Sequence, residues 1–338
     1  MIRHLQIPVF YLLLSAFSQQ KIYSIPATKY IFMIYFPVDR LGITKFEDRN
    51  FLIPLPSSLT LDLKNYVSLM GVLNMSPDSF YIGYDSEKEA LKAVEKMIEE
   101  GADVIDVGGQ STRPGAEEIP EEEEIKRIKI IEKIKKIFHN IPVSVDTYRS
   151  EVAKVAFDCG ADILNDISGF RFDPKVLDVC KLYRAPAIAM HITAKPKVMQ
   201  NYTLEDHVLL DGIINYLSEC ANLAKQKDVN VILDPGIGFG KRPHQNLIII
   251  NQLEKIAQIG YPVLIGVSRK SFIGFAMDPS NPPPPSERLE GTISACVISL
   301  CKGARILRVH DVLKVKNALK IAVSILMENF SHEKRISS

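Results

Sequence analysis

Residues 231–241 read V-I-L-D-P-G-I-G-F-G-K. Apolar and β-branched positions run into Asp234, Pro235 ends the ladder, and glycines follow at 236, 238 and 240, the pattern of a buried strand opening into a loop of exposed backbone. A carboxylate therefore stands at a strand's end. Glycines beside it let a flat ligand approach the main chain without meeting a Cβ. A dehydrated carboxylate offers two acceptors to a planar group with two adjacent N–H donors, the edge that guanine or a pterin presents. The same letters also suit an aspartate that caps a structural turn, so the neighbouring segments decide.

Working outward, apolar runs that end in polar or glycine-rich turns alternate with longer amphipathic stretches from Tyr66 onward, which predicts βα units around a parallel sheet. Strands are expected at 67–73, 103–108, 142–146, 162–166, 186–190, 231–234, 262–267 and 305–309. That number predicts an α/β fold of the (β/α)8 TIM-barrel kind. Helical stripes fall between them: Ala90, Leu91, Val94, Met97 and Ile98, then Ile128, Ile131, Ile134, Ile137 and Phe138, and finally Val312, Val315, Leu319, Ala322, Val323 and Leu326. The proline-rich patch from Asp278 to Ser286 is expected to be an extended loop near the mouth.

At 338 residues the chain exceeds a usual single domain, but barrels of this class reach about 250 residues as one unit. We divide it into an extension at 1–65, a barrel at 66–330 and a tail at 331–338. Hydrophobic content of 46% and charged content of 24% suit a soluble chain with a large core. With 41 basic and 40 acidic residues the formal charge is +1, so no global field recruits nucleic acid or an anionic membrane. Any anion must be held locally. The five cysteines show no CxxC spacing and fall in expected helices, as reduced core thiols of a cytoplasmic protein would. The apolar run at 7–17 resembles part of a signal peptide but is too short to span a bilayer.

Ligand sites of such barrels lie at the carboxyl ends of the strands. The eight endings here are L-N-M-S-P-D-S-F, D-V-G-G-Q-S-T-R-P-G, V-D-T, N-D-I, M-H, D-P-G-I-G-F-G-K, S-R-K and R-V-H-D. Helix caps explain Ser, Thr, Asp and Asn at such places, but not Lys270 or Arg308. Asp146, Asn165, Asp234 and Lys270 supply acceptors and donors for the edge of a neutral heterocycle. Asn74, Arg113, Arg308 and His310 form an anion-binding set suited to a diphosphate, with the Asn74 carbonyl able to join a magnesium shell.

The stretches L-N-M-S-P-D-S-F, D-V-G-G-Q-S-T-R-P-G, V-S-V-D-T, I-L-N-D-I, L-D-P-G-I-G-F-G-K, I-G-V-S-R-K-S and R-V-H-D-V resemble, in order, the motif series of the dihydropteroate synthase family. The likeness runs from about Tyr66 to about Met327. It implies condensation of 6-hydroxymethyl-7,8-dihydropterin diphosphate with p-aminobenzoate, giving 7,8-dihydropteroate and diphosphate. The matching residues Asp146, Asn165, Asp234 and Lys270 would hold the pterin, and Asn74, Arg308 and His310 the diphosphate and Mg2+. Loops 76–80 and 111–115 would close an aminobenzoate pocket around Phe80, Thr112, Pro114, Lys270 and Ser271. Asp146, Asp234, Lys270, Arg308 and His310 are thus the expected catalytic set, and a sulfonamide-sensitive homodimer is expected by the same likeness. The piece F-E-D-R-N-F-L-I-P-L-P faintly resembles the tail of hydroxymethyl-dihydropterin pyrophosphokinases, which precede this enzyme in some fused chains.

This chain departs from the family pattern at Gln110, where glutamate is usual, at F-Y-I-G-Y-D in the first loop, at H-I-T-A (191–194) and at Ile237. Two other readings remain. A methyltetrahydrofolate:corrinoid methyltransferase would share the pterin aspartates without needing the anion set. A non-catalytic pterin-binding homologue would accommodate Gln110 and the altered loop.

Overall fold

The computed structural model describes residues 34–75 and 87–328. The apolar run at 7–17, the loop at 76–80 with Phe80, and the tail at 331–338 lie outside the described residues.

Three short strands come first, β1 (Ile34–Tyr35), β2 (Leu52–Pro54) and β3 (Thr60–Asp62). Eight more follow: β4 (Tyr66–Asn74), β5 (Val104–Gly108), β6 (Val143–Asp146), β7 (Ile163–Asp166), β8 (Ala187–Met190), β9 (Val231–Asp234), β10 (Val263–Ile265) and β11 (Ala304–Val309). These eight are parallel, each paired with the next, and β11 closes the barrel on β4 with Leu307 opposite Leu69. Every residue of β6, β7, β8 and β9 is buried, because helices cover one face and the barrel interior the other. That two-sided burial is why these strands read as unbroken apolar runs. β10 is shorter than expected: a register shift between Val263 and Leu264 disrupts the ladder, and the chain leaves it after Ile265.

The helix expected over Ile128–Phe138 is divided. Glu121–Ile128 and Ile130–Ile137 meet at Lys129, whose ψ of −13° flattens the turn while Ile128, Ile130, Ile131 and Ile134 stay in the core. Phe138 lies past the end and caps it, its N–H reaching Ile134 O at 2.7 Å. The cysteines are all unpaired, but Cys301 is exposed and Cys159 half-buried, so only three are core thiols; Cys301 falls on the solvent face of its helix. No helix among the described residues is long and apolar enough to cross a membrane.

Residues 34–65 belong to the same hydrophobic core as the barrel, with Phe51, Ile53 and Leu63 fully buried. β1 pairs antiparallel with the start of β4, and β2 with β3. Ser57 N–H donates to Asp162 Oδ1 (3.3 Å), and Asn50 Nδ2 to Gly260 O (3.0 Å). Arg305 Nε and Nη2 donate to the carbonyls of Leu63 and Tyr66 at 2.8 and 2.7 Å. Asp162, Gly260 and Arg305 all lie where barrel strands begin, so residues 34–65 pack on the amino-terminal end of the barrel, opposite the rim where the strands end. Arg305 is fully buried, and desolvation pulls its guanidinium down to about 9. Arg305→Ala strips a partner from two enclosed carbonyls at about 1–3 kcal/mol each. The expected loss in urea unfolding is about 3 kcal/mol; a loss below about 1 kcal/mol would show that the clamp is not needed.

Candidate active site

Strand register brings the polar endings to one level. Asn74 stands opposite Gly108, Gly108 opposite Asp146, and Asp146 opposite Asn165. A Cβ on Gly108 would lie 3.4 Å from Asn74 Oδ1 and 3.8 Å from Asp146 Oδ2, so these two side chains converge over Gly108. Across the mouth, the corresponding point on Gly266 is 3.8 Å from Lys270 Nζ and 3.9 Å from Arg308 Cβ. Asp234 ends β9, with Met190 opposite it on β8. Its Oδ1 accepts from Gly236 N at 2.7 Å, which leaves Oδ2 for a ligand.

The heterocycle set and the anion set, read as two groups in the sequence, are joined here through Arg308. Arg308 Nε donates to Asp106 Oδ2 at 2.7 Å and Nη2 to Asp146 Oδ2 at 3.1 Å. Asn165 Nδ2 donates to the same Asp106 oxygen at 3.1 Å. Asp106 thus holds both Asn165, expected at the heterocycle, and Arg308, expected at the diphosphate. Sequence reading passed over it, although a lone aspartate within V-I-D-V, two residues before Gly108, is the signal for a polar side chain inside a barrel. The other omission is Phe239, a single aromatic among the glycines of the β9 loop. Lys270 Nζ sits 4.8 Å above its ring centre and donates to Ile237 O.

Burial and neighbouring charge set the protonation of this cluster. Desolvation, then the Asp106 charge, raises Asp146 to about 7 despite Arg308. Asp234 is also raised by desolvation, with Lys270 opposing. Desolvation lowers Lys270 to about 8. His310 falls to about 4 through desolvation and the Arg308 charge; its Nδ1 is 3.0 Å from Ser268 Oγ. Burial opposes the charge on Arg308, but Asp106 and Asp146 hold its pKa above the ordinary value.

Arg113 and Pro114 are exposed on the second loop and Thr112 is half-buried. That loop leans on the turn after β8 through Gly115 N to Pro196 O (3.1 Å), Lys195 to Glu118 (2.8 Å) and Lys197 to Glu117 (2.9 Å). Ser271 is exposed at the first turn of helix Ser271–Met277. Gln110 anchors the loop's far end: its Oε1 accepts from Ile119 N (3.0 Å) and its Nε2 lies 3.1 Å from Tyr148 Oη. A glutamate could make the same two contacts with the tyrosine hydroxyl as donor, so the amide preserves the anchor with one bond reversed.

Among the described residues there is no group of three or more His, Cys, Asp and Glu able to hold a metal by itself. Asn74 Oδ1, 3.4 Å from the point a Cβ on Gly108 would occupy, is an uncharged amide oxygen, the donor type found around hard, hydrated cations.

Residues 70–310 match the family model described as pterin binding enzyme. The chain is 47% identical over 260 residues to the dihydropteroate synthase of Clostridium beijerinckii, covering 75% of this chain and 92% of that one. The dihydropteroate synthase of Coxiella burnetii in complex with pteroic acid superimposes with a TM-score of 0.73 at 32% identity, over 82% of this chain and all of that one. The Thermus thermophilus enzyme in complex with 4-aminobenzoate gives 0.71 at 35% identity, over 81% and 99%.

Proposed function

The chain belongs to the pterin binding enzymes, among the dihydropteroate synthases, and from that membership we infer that it condenses 6-hydroxymethyl-7,8-dihydropterin diphosphate with p-aminobenzoate to give 7,8-dihydropteroate and diphosphate. The observation that carries the reading is the convergence of Asn74, Asp146, Lys270 and Arg308 on the mouth through Gly108, Gly266 and the Arg308 to Asp146 bond.

In this reading Asp146 and Asp234 accept the pterin's N–H groups, Asn165 adds an amide, and Lys270 donates to its carbonyl or ring nitrogen. Arg308 neutralises the departing diphosphate, His310, uncharged above its pKa of about 4, adds a hydrogen bond to it, and Arg113 reaches it when the second loop closes. A magnesium ion bound beside Asn74 would add charge stabilisation to the leaving phosphates. The C–O bond at the methylene breaks, positive charge spreads into the ring facing the two carboxylates, and the arylamine nitrogen attacks and then sheds a proton. No covalent intermediate on the protein is needed, and positioning supplies much of the acceleration. Thr112, Pro114 and Ser271 line the arylamine side. Sulfonamides match p-aminobenzoate in shape and are expected to compete with it.

A homodimer fits the exposed Ile298, Phe275 and Leu326 on the last helices, whereas Val323 is fully buried and serves the core. A cytoplasmic location agrees with five unpaired cysteines.

Incubation with the diphosphate substrate, labelled p-aminobenzoate and magnesium tests the activity; folded protein that forms no dihydropteroate sinks it. The pH profile is a second expectation. The Asp146 carboxylate is lost as pH falls through about 7, and the Lys270 ammonium is lost as pH rises through about 8. Turnover at low substrate should therefore peak in a narrow window between them, and a flat profile from pH 6 to 9 would show that neither group is needed in its charged form.

A further inference from the structure

The loop after Asp234 is fastened at three places. Asp234 Oδ1 holds Gly236 N; Asn246 Oδ1 accepts from Gly238 N at 2.6 Å, while Gln200 Nε2 donates to Gly238 O at 2.8 Å. At the far end Lys241 folds back under its own loop. Its ammonium donates to Phe239 O at 2.8 Å and lies 2.9 Å from His191 Nδ1 and 3.4 Å from His191 O. Lys241 and His191 are each only 3% exposed, and among the described residues no acidic side chain forms an ion pair with this lysine.

Desolvation lowers Lys241 to about 7, with the Asp234 charge opposing; burying such a group with no ion-pair partner is costly, so its retention needs a reason. His191 is itself fixed: its N–H donates to Asp234 O at 2.9 Å, and its ring meets Tyr216 edge-on at 4.8 Å. Burial and the adjacent Lys241 hold its imidazole well below the ordinary histidine range, which leaves the ring neutral with Nδ1 free to accept. The loop is pressed so close that a Cβ on Gly236, at φ +69°, would fall 2.0 Å from His191 O. Phe239 packs on a small cluster that includes Met190, Ile192 and Met199 and presents its ring to Lys270.

We propose that Lys241 is a positioning residue: seated on the Phe239 carbonyl and the His191 ring, it fixes the Phe239 ring against Lys270 as the flat wall that receives the arylamine substrate. The inference rests on the synthase reading for its substrate, but its geometry is independent of turnover. Asp234 is anchored separately through Gly236, and although the Lys241 charge helps keep its carboxylate ionised, that charge is largely lost above about 7, so at pH 8 the pterin side should feel little of the change.

The test uses Lys241→Met in the full chain. Amide hydrogen exchange at 236–241 is expected to rise about tenfold or more. At pH 8, KM for p-aminobenzoate should rise about tenfold, with kcat and the pterin dissociation constant within about threefold of wild type. Combined with Phe239→Ala, Lys241→Met should add less than about twofold, because the lysine acts through that ring. Should Lys241→Met not fold, His191→Phe, which keeps a ring and removes the acceptor, is expected to give the same split at smaller size. Unchanged exchange, equal losses for pterin and arylamine, or additive effects in the double variant would each overturn the proposal. Wild-type protein that forms no product would overturn the synthase reading alone, since the exchange measurement does not depend on it.

Discussion

Arg308→Ala is expected to reduce dihydropteroate formation by about a thousandfold or more, equivalent to about 4 kcal/mol, and to weaken pterin binding along with diphosphate handling. An arginine reserved for the leaving group would leave a diphosphate-free pterin binding almost as before. The geometry says otherwise. Arg308 bridges Asp106 and Asp146, and its loss leaves two buried carboxylates facing each other without a cation, a situation that typically costs about 3–5 kcal/mol. Asp146, already raised by burial and by Asp106, relieves the repulsion by keeping a proton and so loses one acceptor for the pterin. Arg308→Lys should recover only part of the loss, because a point charge does not span both carboxylates as a planar fork does. Calorimetry with a diphosphate-free pterin decides it: wild-type affinity in Arg308→Ala would show that the bridge has no part in holding the pterin.

Asp234→Asn is expected to weaken pterin binding by about 2–3 kcal/mol, which is roughly 30- to 150-fold. Asp234 Oδ1 is committed to Gly236 N–H, so the amide must turn its oxygen that way and present its NH2 to the ligand. A donor then faces the N–H donors of the pterin edge, and the desolvated pair has no water to intervene. Asp234→Ala should cost less at the ligand than Asp234→Asn, since it removes the acceptor without adding a clashing donor. Equal affinity of wild type and Asp234→Asn would falsify the assignment of this carboxylate to the pterin.

The barrel and most of its rim were legible from the residues because their physical cause is local. A strand buried on both faces must be apolar throughout, and a polar residue at its end must serve either a cap or a ligand. Hence β4 to β11 were found, together with Asn74, Asp146, Asn165, Asp234, Lys270, Arg308 and His310 at the mouth. What failed to show depended on partners distant in sequence. Asp106 looks like an interruption of a strand until Arg308, 202 positions later, and Asn165, 59 positions later, are seen to donate to one of its oxygens. Charge alone had put Arg308 with the anion ligands, and only the fold ties it to Asp146.

The extension shows the same division. Its letters gave only a boundary at 65, and nothing in them named the surface that Phe51, Ile53 and Leu63 would cover. The sequence by itself determined the periodicities, and with them eight parallel strands and the chemistry of their endings. Tertiary structure decided which of those endings share a hydrogen bond or an ion pair, because such contacts fall off within a few ångströms and no spacing along the chain encodes them.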